Sequence, residues 1–479
     1  MPRPRSALII LADGARADIF ERLVAAGALP EIRRHVIDRG GYRRASSTFT
    51  STTGPAHLPF LTGCFPGTAN VPGYRWFDRT RYRPGLPAGP WCMRSYNGPE
   101  AWLYADDIAP GVKTLYDLTD DAINVFGVVT RGVAKGNSLF ARVKNPVWLW
   151  AHYAHDYVSA DRLAGRALAA ALRRRTELSF VVFPGIDWQS HYVDAEGEGA
   201  MRSYALVDRA VGAAARTLRQ QGRYDDTLLV VCSDHGHSPV REHYDLPVRL
   251  ETDFGLRAAY HSWPVLRRRP EAVACVSGNG MCQVYFKAAG WGHEPSRDQI
   301  ADLHPGLLQG LLAEPAVDLM ITRAGAEGWL WVESRRGRAR LREAPGGGVE
   351  YEPDGTDPFG WGALPRALSS EDALRANFDS DHPDALVQIA QLFRSGRAGD
   401  LVVSATPGYD FRDRYERPEH GSAHGALHTM HMTTPLAVSA PVADGPMRTA
   451  DVFATVLDFL GRPAPAGIDG VSRLTRAED

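Results

Sequence analysis

The chain has 479 residues, 44% of them apolar and 23% charged, and 54 Lys plus Arg against 56 Asp plus Glu give a formal charge of -2. That apolar fraction excludes wholesale disorder, and the near-neutral balance excludes bulk attraction to a nucleic-acid polymer. No apolar run approaches the roughly 20 residues of a membrane helix, and the five cysteines form no CxxC pair, which argues against a disulfide framework and thiolate zinc sites.

In chain order, 7–12 is a short apolar run followed at once by Asp13 and Arg16. It is too short for a signal h-region and reads as a first strand, so the expected compartment is the cytoplasm, with no membrane partner. Runs at 123–129, 178–183 and 228–232 are rich in Val, Ile and Leu with little alternation, the pattern of strands buried on both faces. Helix-like segments at 18–26, 57–62, 159–174 and 200–219 lie between them. Strand–helix–strand repetition implies right-handed crossovers, so the expected fold is α/β, with a mostly parallel central sheet and helices on both faces. After about residue 245 the character changes. Segments 328–333 and 338–343 read as strands around a turn, and 344–362 reads as a loop rich in Gly, Pro and Asp. A helix at 383–394, strands at 400–404 and 435–439, and a last helix at 449–460 restore the earlier rhythm. The expected layout is an α/β core of residues 1–245 and 381–479, interrupted by an inserted α+β cap at 246–380.

Polar residues collect where these strands end, the place where α/β sheets carry their sites. Asp13-Gly14 follows the first strand, Asp187 and His191 follow the strand at 178–183, and Asp234-His235 follow the strand at 228–232. Thr53 stands at a helix start after a run of hydroxyls, and His424 precedes the strand at 435–439. Singly, each has an ordinary explanation: an Asp before Gly is usually a turn or cap, and an Asp–His pair four apart is usually a solvated contact. Three parallel strands ending in Asp, two with an accompanying His, is not a common coincidence. Carboxylates and neutral imidazoles without thiolates suit a pair of divalent cations, Zn²⁺ best, with Mn²⁺ or Fe²⁺ as options. Two ions roughly 3.5–4 Å apart can clamp both ends of an in-line displacement at phosphorus, one of them lowering the pKa of a hydroxyl nucleophile.

The segments ADGARAD (12–18), STTGPAHLPFLTG (51–63), PGIDWQSH (184–191), SDHGH (233–237) and HGALHTMHMTTPLAV (424–438) together resemble the alkaline phosphatase superfamily. Within it the chain is similar to the type I phosphodiesterase/nucleotide pyrophosphatase family, and 449–470 resembles the superfamily's terminal helix and loop. The resemblance implies an alkaline phosphatase-like fold and two metal ions. It makes Thr53 the nucleophile that becomes phosphorylated. Asp13, Asp234, His235 and Thr53 would hold one ion, and Asp187, His191 and His424 the other. The implied reaction is hydrolysis of a small phosphodiester or nucleotide pyrophosphate through a phosphothreonine.

Departures bear on the substrate. A family Asn that donates to a phosphoryl oxygen aligns without gaps with Tyr74, beside Arg75, while a small shift brings in Asn70. Arg131 occupies the region where monoesterase members carry basic residues, and a bidentate Arg there would favour a phosphomonoester or phosphonate. Thr53-Gly54-Pro55-Ala56-His57 lacks the sulfatase pattern. His57 and His237 are expected to support ligands rather than bind metal, and His428 and His431 to be outer-shell or exposed. His152 and His155 are expected to be structural, and Trp76, Phe77 and Trp188 to flank the pocket or belong to the core. The arginines at 335, 336, 338, 340 and 342 read as a solvated face. A reading of another class is a phosphoryl-ligand binder that has lost turnover.

Overall fold

The computed structural model describes residues 5–86, 89, 91–96, 99–139, 156–261, 263–325, 327–412 and 419–475. His152 and His155 lie outside these. The strand Ser6–Ala12 is buried at all seven positions, and a strand without a polar face is stable only inside a sheet covered on both sides. It is the fifth strand of an eight-stranded sheet with the order Met447–Arg448, Gly41–Ser46, Thr433–Val438, Thr227–Cys232, Ser6–Ala12, Leu178–Phe183, Ala122–Val125, Ser138–Leu139. All strands run the same way except Thr433–Val438. Helices cover both faces, with Val158–Arg173 packed on Glu198–Gln220, and Asp451–Leu460 on Leu58–Thr62. This is the expected α/β core. The strand expected at 123–129 ends at Val125, because Phe126 takes a left-handed conformation (φ 59°).

A second sheet of nine strands is built from Ala258–Ala259, Ala272–Ser277, Met281–Phe286, Leu401–Ala405, Val317–Arg323, Leu330–Glu333, Arg338–Glu343, Val349–Asp354 and Ala367–Leu368, in that spatial order. Its neighbours pair antiparallel, apart from the first two. Two expectations are corrected here. Leu401–Ala405 returns after position 381 but pairs in this second sheet, between Met281–Phe286 and Val317–Arg323. A run buried on both faces fits the middle of either sheet, and its pattern does not say which. The stretch 344–362 is not all loop. Val349 and Tyr351 alternate with Glu350 and Glu352, burying one face of a strand whose signal is masked by Gly346–Gly348 and Pro353. The arginines behave as a solvated face, since Arg338 pairs with Asp354, Arg340 with Glu352 and Arg342 with Glu350. Among the described residues no helix is long and apolar enough to cross a membrane.

Candidate active site

Three neighbouring parallel strands deliver three carboxylates to one sheet edge. Asp13 directly follows Ser6–Ala12, Asp234 comes two residues after Thr227–Cys232, and Asp187 lies in the first turn of helix Gly185–Tyr192, which follows Leu178–Phe183. The strand ends are drawn together by Asp187 N–H donating to the Asp13 carbonyl at 2.9 Å, and Gly14 N–H to Asp234 Oδ1 at 3.3 Å. Gly14 has φ +76°, and a Cβ there would lie 2.8 Å from Asp187 Cα, so only glycine permits this approach.

Thr53 enters from the loop after strand Gly41–Ser46. Its Oγ1 lies 3.3 Å from Asp13 Oδ1 and 3.2 Å from His235 Nε2. The lead-in at 48–50 is gripped from helix Ala385–Leu392. Gln388 Oε1 accepts from Thr48 Oγ1 and Phe49 N–H, each at 3.1 Å, and Gln391 Nε2 donates to the Phe49 carbonyl at 2.7 Å. His424 arrives on a short strand, Ser422–Ala423, paired with Ser238–Pro239. Backbone bridges join Ser51 to Gly425, and Asn279 to His424. The turn 277–280 of the second sheet therefore lies against the edge of the first.

Two buried groups of ligating atoms result: Asp13, Asp234 and His235, and Asp187, His235, His237 and His424. His191 joins the second, its Nε2 3.4 Å from Asp187 Oδ1 and 3.1 Å from His424 Nε2. The donor chemistry tests whether cations fit. His191 Nδ1 lies 3.0 Å from the Ser422 carbonyl, and His424 Nδ1 lies 3.1 Å from the Ser51 carbonyl. A carbonyl only accepts, so each Nδ1 carries a proton, and the two Nε2 atoms face each other across 3.1 Å beside the Asp187 carboxylate. Two convergent Nε2 atoms beside a carboxylate suit a shared cation, and backbone orientation of the far nitrogen is how histidine ligands are commonly fixed. Burial opposes ionisation of Asp187, but His191, His237 and His424 outweigh it and hold its carboxyl well below the usual range. Burial likewise opposes ionisation of Asp234, and His235 and His57 hold it at about 2. Burial pushes His424 well down and His237 down to about 4, which keeps both rings neutral and ligand-competent.

His237 Nε2 lies 2.8 Å from Asp187 Oδ1, and His57 Nε2 lies 3.2 Å from Asp234 Oδ2. His428 and His431 are both buried, not exposed, and His431 spans Ser238 Oγ and Ala426 N–H behind the edge. Trp76, Phe77 and Trp188 are buried in the packed interior. Among the residues considered for substrate contact, Tyr74 packs its ring on Gly54 beside Thr53, and its hydroxyl donates to the Tyr96 carbonyl at 3.2 Å. Arg75 Nε donates to Ser95 Oγ, and its guanidinium forms no ion pair with a described carboxylate. Asn70 is turned away, its Oδ1 accepting from Ser395 Oγ at 2.8 Å. Arg131 is a correction. Its guanidinium donates to the carbonyls of Ala105, Ile108, Ala109 and Val112, clamping the end of helix Tyr104–Asp107, so four of its five N–H groups go to backbone. The sequence reading omitted His420, whose ring lies 4.4 Å from that of His191, and Asn279, whose Nδ2 lies 3.3 Å from His420 Nδ1. Neither stands in a motif.

A parallel-sheet edge bearing a hydroxyl between two buried Asp/His clusters defines the class: a hydrolase acting on phosphoester bonds. Residues 7–427 match the family model for type I phosphodiesterase/nucleotide pyrophosphatase, and the chain belongs to that family. A comparison with curated proteins gives no match. Among solved structures, the fold is similar to phosphonoacetate hydrolase from Sinorhizobium meliloti 1021 in complex with phosphonoformate, at 16% identity and TM-score 0.57, covering 95% of this chain and 96% of that one. It is also similar to murine ectonucleotide pyrophosphatase/phosphodiesterase 5, at 12% identity and TM-score 0.55, covering 96% of each chain. An inactive form of the murine protein in complex with AMP is similar at 13% identity and TM-score 0.53, again over 96% of each.

Proposed function

We propose that the protein hydrolyses small phosphodiesters or nucleotide pyrophosphates with Thr53 as nucleophile. The observation that carries this is Thr53 Oγ1 lying within 3.3 Å of both Asp13 and His235, with the Asp187 cluster beside them. Asp13, Asp234, His235 and Thr53 are assigned to one divalent ion, and Asp187, His191 and His424 to a second, with zinc the best match to an oxygen and imidazole donor set. Bound there, the ions supply Lewis-acid charge that favours the threonine alkoxide and the departing oxygen. The side chains do the rest. Thr53 Oγ1 bonds to phosphorus as the bond to the leaving oxygen breaks, giving a phosphothreonine and the first product. Water then attacks that phosphorus and returns Oγ1 to Thr53. Tyr74 lies beside Gly54, next to Thr53. A diester is preferred over a monoester because Arg131, the residue that would grip a dianionic phosphate, is committed to backbone carbonyls.

Rates on a bis-ester and a monoester of the same phenol test the substrate class, the bis-ester being faster by about tenfold or more if a missing charged contact of this kind decides. A faster monoester would overturn that preference. Thr53→Ala removes turnover on both while retaining zinc, and turnover unchanged in that variant would overturn the nucleophile assignment.

A further inference from the structure

Four imidazoles step away from the nucleophile. His235 lies beside Thr53 Oγ1, stacks on His424 at 3.8 Å between centroids, His424 lies 4.9 Å from His191, and His191 lies 4.4 Å from His420. In an in-line displacement the leaving group departs on the side opposite the attacking oxygen. His420 ends this series, so it stands on the departing side, beyond the cluster assigned to the leaving oxygen. The Asn279 amide, 3.3 Å away, donates to His420 Nδ1, which places the ring proton on Nε2. Nε2 bonds nothing among the described residues, and the ring is half-buried. Asn279 is itself held. It sits at the tip of the second sheet's hairpin with φ 62°, its carbonyl accepts from Phe411 N–H at 2.7 Å, and only 5% of its surface is exposed. The second sheet thus fixes the tautomer of His420 through Asn279.

We infer that His420, oriented by Asn279, is a specificity-determining residue that donates a hydrogen bond to an oxygen of the leaving group and so favours oxygen-rich, anionic leaving groups of the pyrophosphate type. The inference rests on the reading above that phosphoryl transfer occurs at Thr53. His420 keeps its proton throughout. The electron pair of the broken bond stays on the departing oxygen, and the hydrogen bond only stabilises it. A donor to a charged oxygen discriminates strongly, because a leaving group without that oxygen leaves the N–H unmatched.

Two esters with a common transferred group, thymidine 5′-triphosphate (leaving pyrophosphate) and 4-nitrophenyl thymidine 5′-monophosphate (leaving nitrophenolate), are compared with the zinc-loaded full chain. Calorimetric binding of inorganic pyrophosphate is measured alongside. In His420→Ala, pyrophosphate binding weakens about tenfold at unchanged zinc content, and kcat/KM falls about tenfold further for the triphosphate than for the nitrophenyl ester. His420→Gln restores part of both losses. Asn279→Gly, which keeps the left-handed backbone, shows the same selective loss to a lesser degree. Equal losses on both esters, or pyrophosphate affinity unchanged in His420→Ala, would overturn the inference. If the unsubstituted protein turned over neither ester, the reading of the function would fall, while the pyrophosphate measurement would still decide the role of His420.

Discussion

Asp161 shows how a residue far from the reacting atoms supports the site. It is buried in helix Val158–Arg173, and its Oδ1 accepts from Gly185 N–H, the first residue of the helix that carries Asp187 and His191. Burial pushes its carboxyl up to about 7, with the hydrogen bond from Gly185 N–H opposing the rise. Because the folded pKa lies above the unfolded value of about 3.9, the folded state binds the extra proton. Stability is therefore full at low pH and declines as pH rises from about 4 to about 7, by up to roughly 1.4 kcal/mol per unit. Asp161→Asn removes that decline, so its stability gain over the unsubstituted protein should grow across this range in denaturant titrations. A constant difference at all pH values would contradict the assignment. At the ligands themselves, His57 is fully buried against Asp234. His57→Ala should weaken zinc binding by about tenfold or more in chelator competition, as loss of outer-shell partners typically does. The seven positions proposed as ligands and nucleophile stand out in sequence because each lies at a strand end or within a short motif. His420 and Asn279 are not, since their pairing depends on where a hairpin 141 positions away along the chain is folded.

At the level of elements, helix Ala385–Leu392 and the hairpin turn 277–280 hold the nucleophile loop and His424 in place. Gln388 bridges Thr48, Phe49 and Asp384, and Asp384 forms a buried bidentate pair with Arg448. Gln388→Ala leaves those groups short of partners and should cost about 1–3 kcal/mol, read as a lowered melting temperature together with a lower kcat. Gly278 has φ +62°, and a Cβ there would lie 2.7 Å from His424 Nδ1. Gly278→Ala should therefore displace His424 and weaken zinc binding as well as lower the melting temperature, whereas a purely local turn would lower stability alone. The core strands were readable because continuous burial leaves a continuous apolar run. Strand Gly41–Ser46 was not, since Arg43 and Arg44 face outward and its order depends on Thr433–Val438 beside it. For the same reason the run at 401–405 was legible as a strand but not as a member of the second sheet.

For the whole molecule, two sheets of different construction meet at one edge. The parallel sheet supplies the carboxylates and the antiparallel sheet presses its hairpin against them. Three carboxylates buried at one edge are costly without compensating charge, so cations held at the proposed sites would couple metal binding to folding. Removing zinc with a chelator should lower stability, and restoring it to about a hundredfold above Kd should return about 2.7 kcal/mol for each site. The most direct test of the central claim is anomalous diffraction at the zinc edge from crystals of the full chain. The account predicts two peaks per chain, one among Asp13, Thr53, Asp234 and His235 and the other among Asp187, His191 and His424. A zinc-loaded crystal with no peak in either cluster, or with its zinc elsewhere, would contradict it.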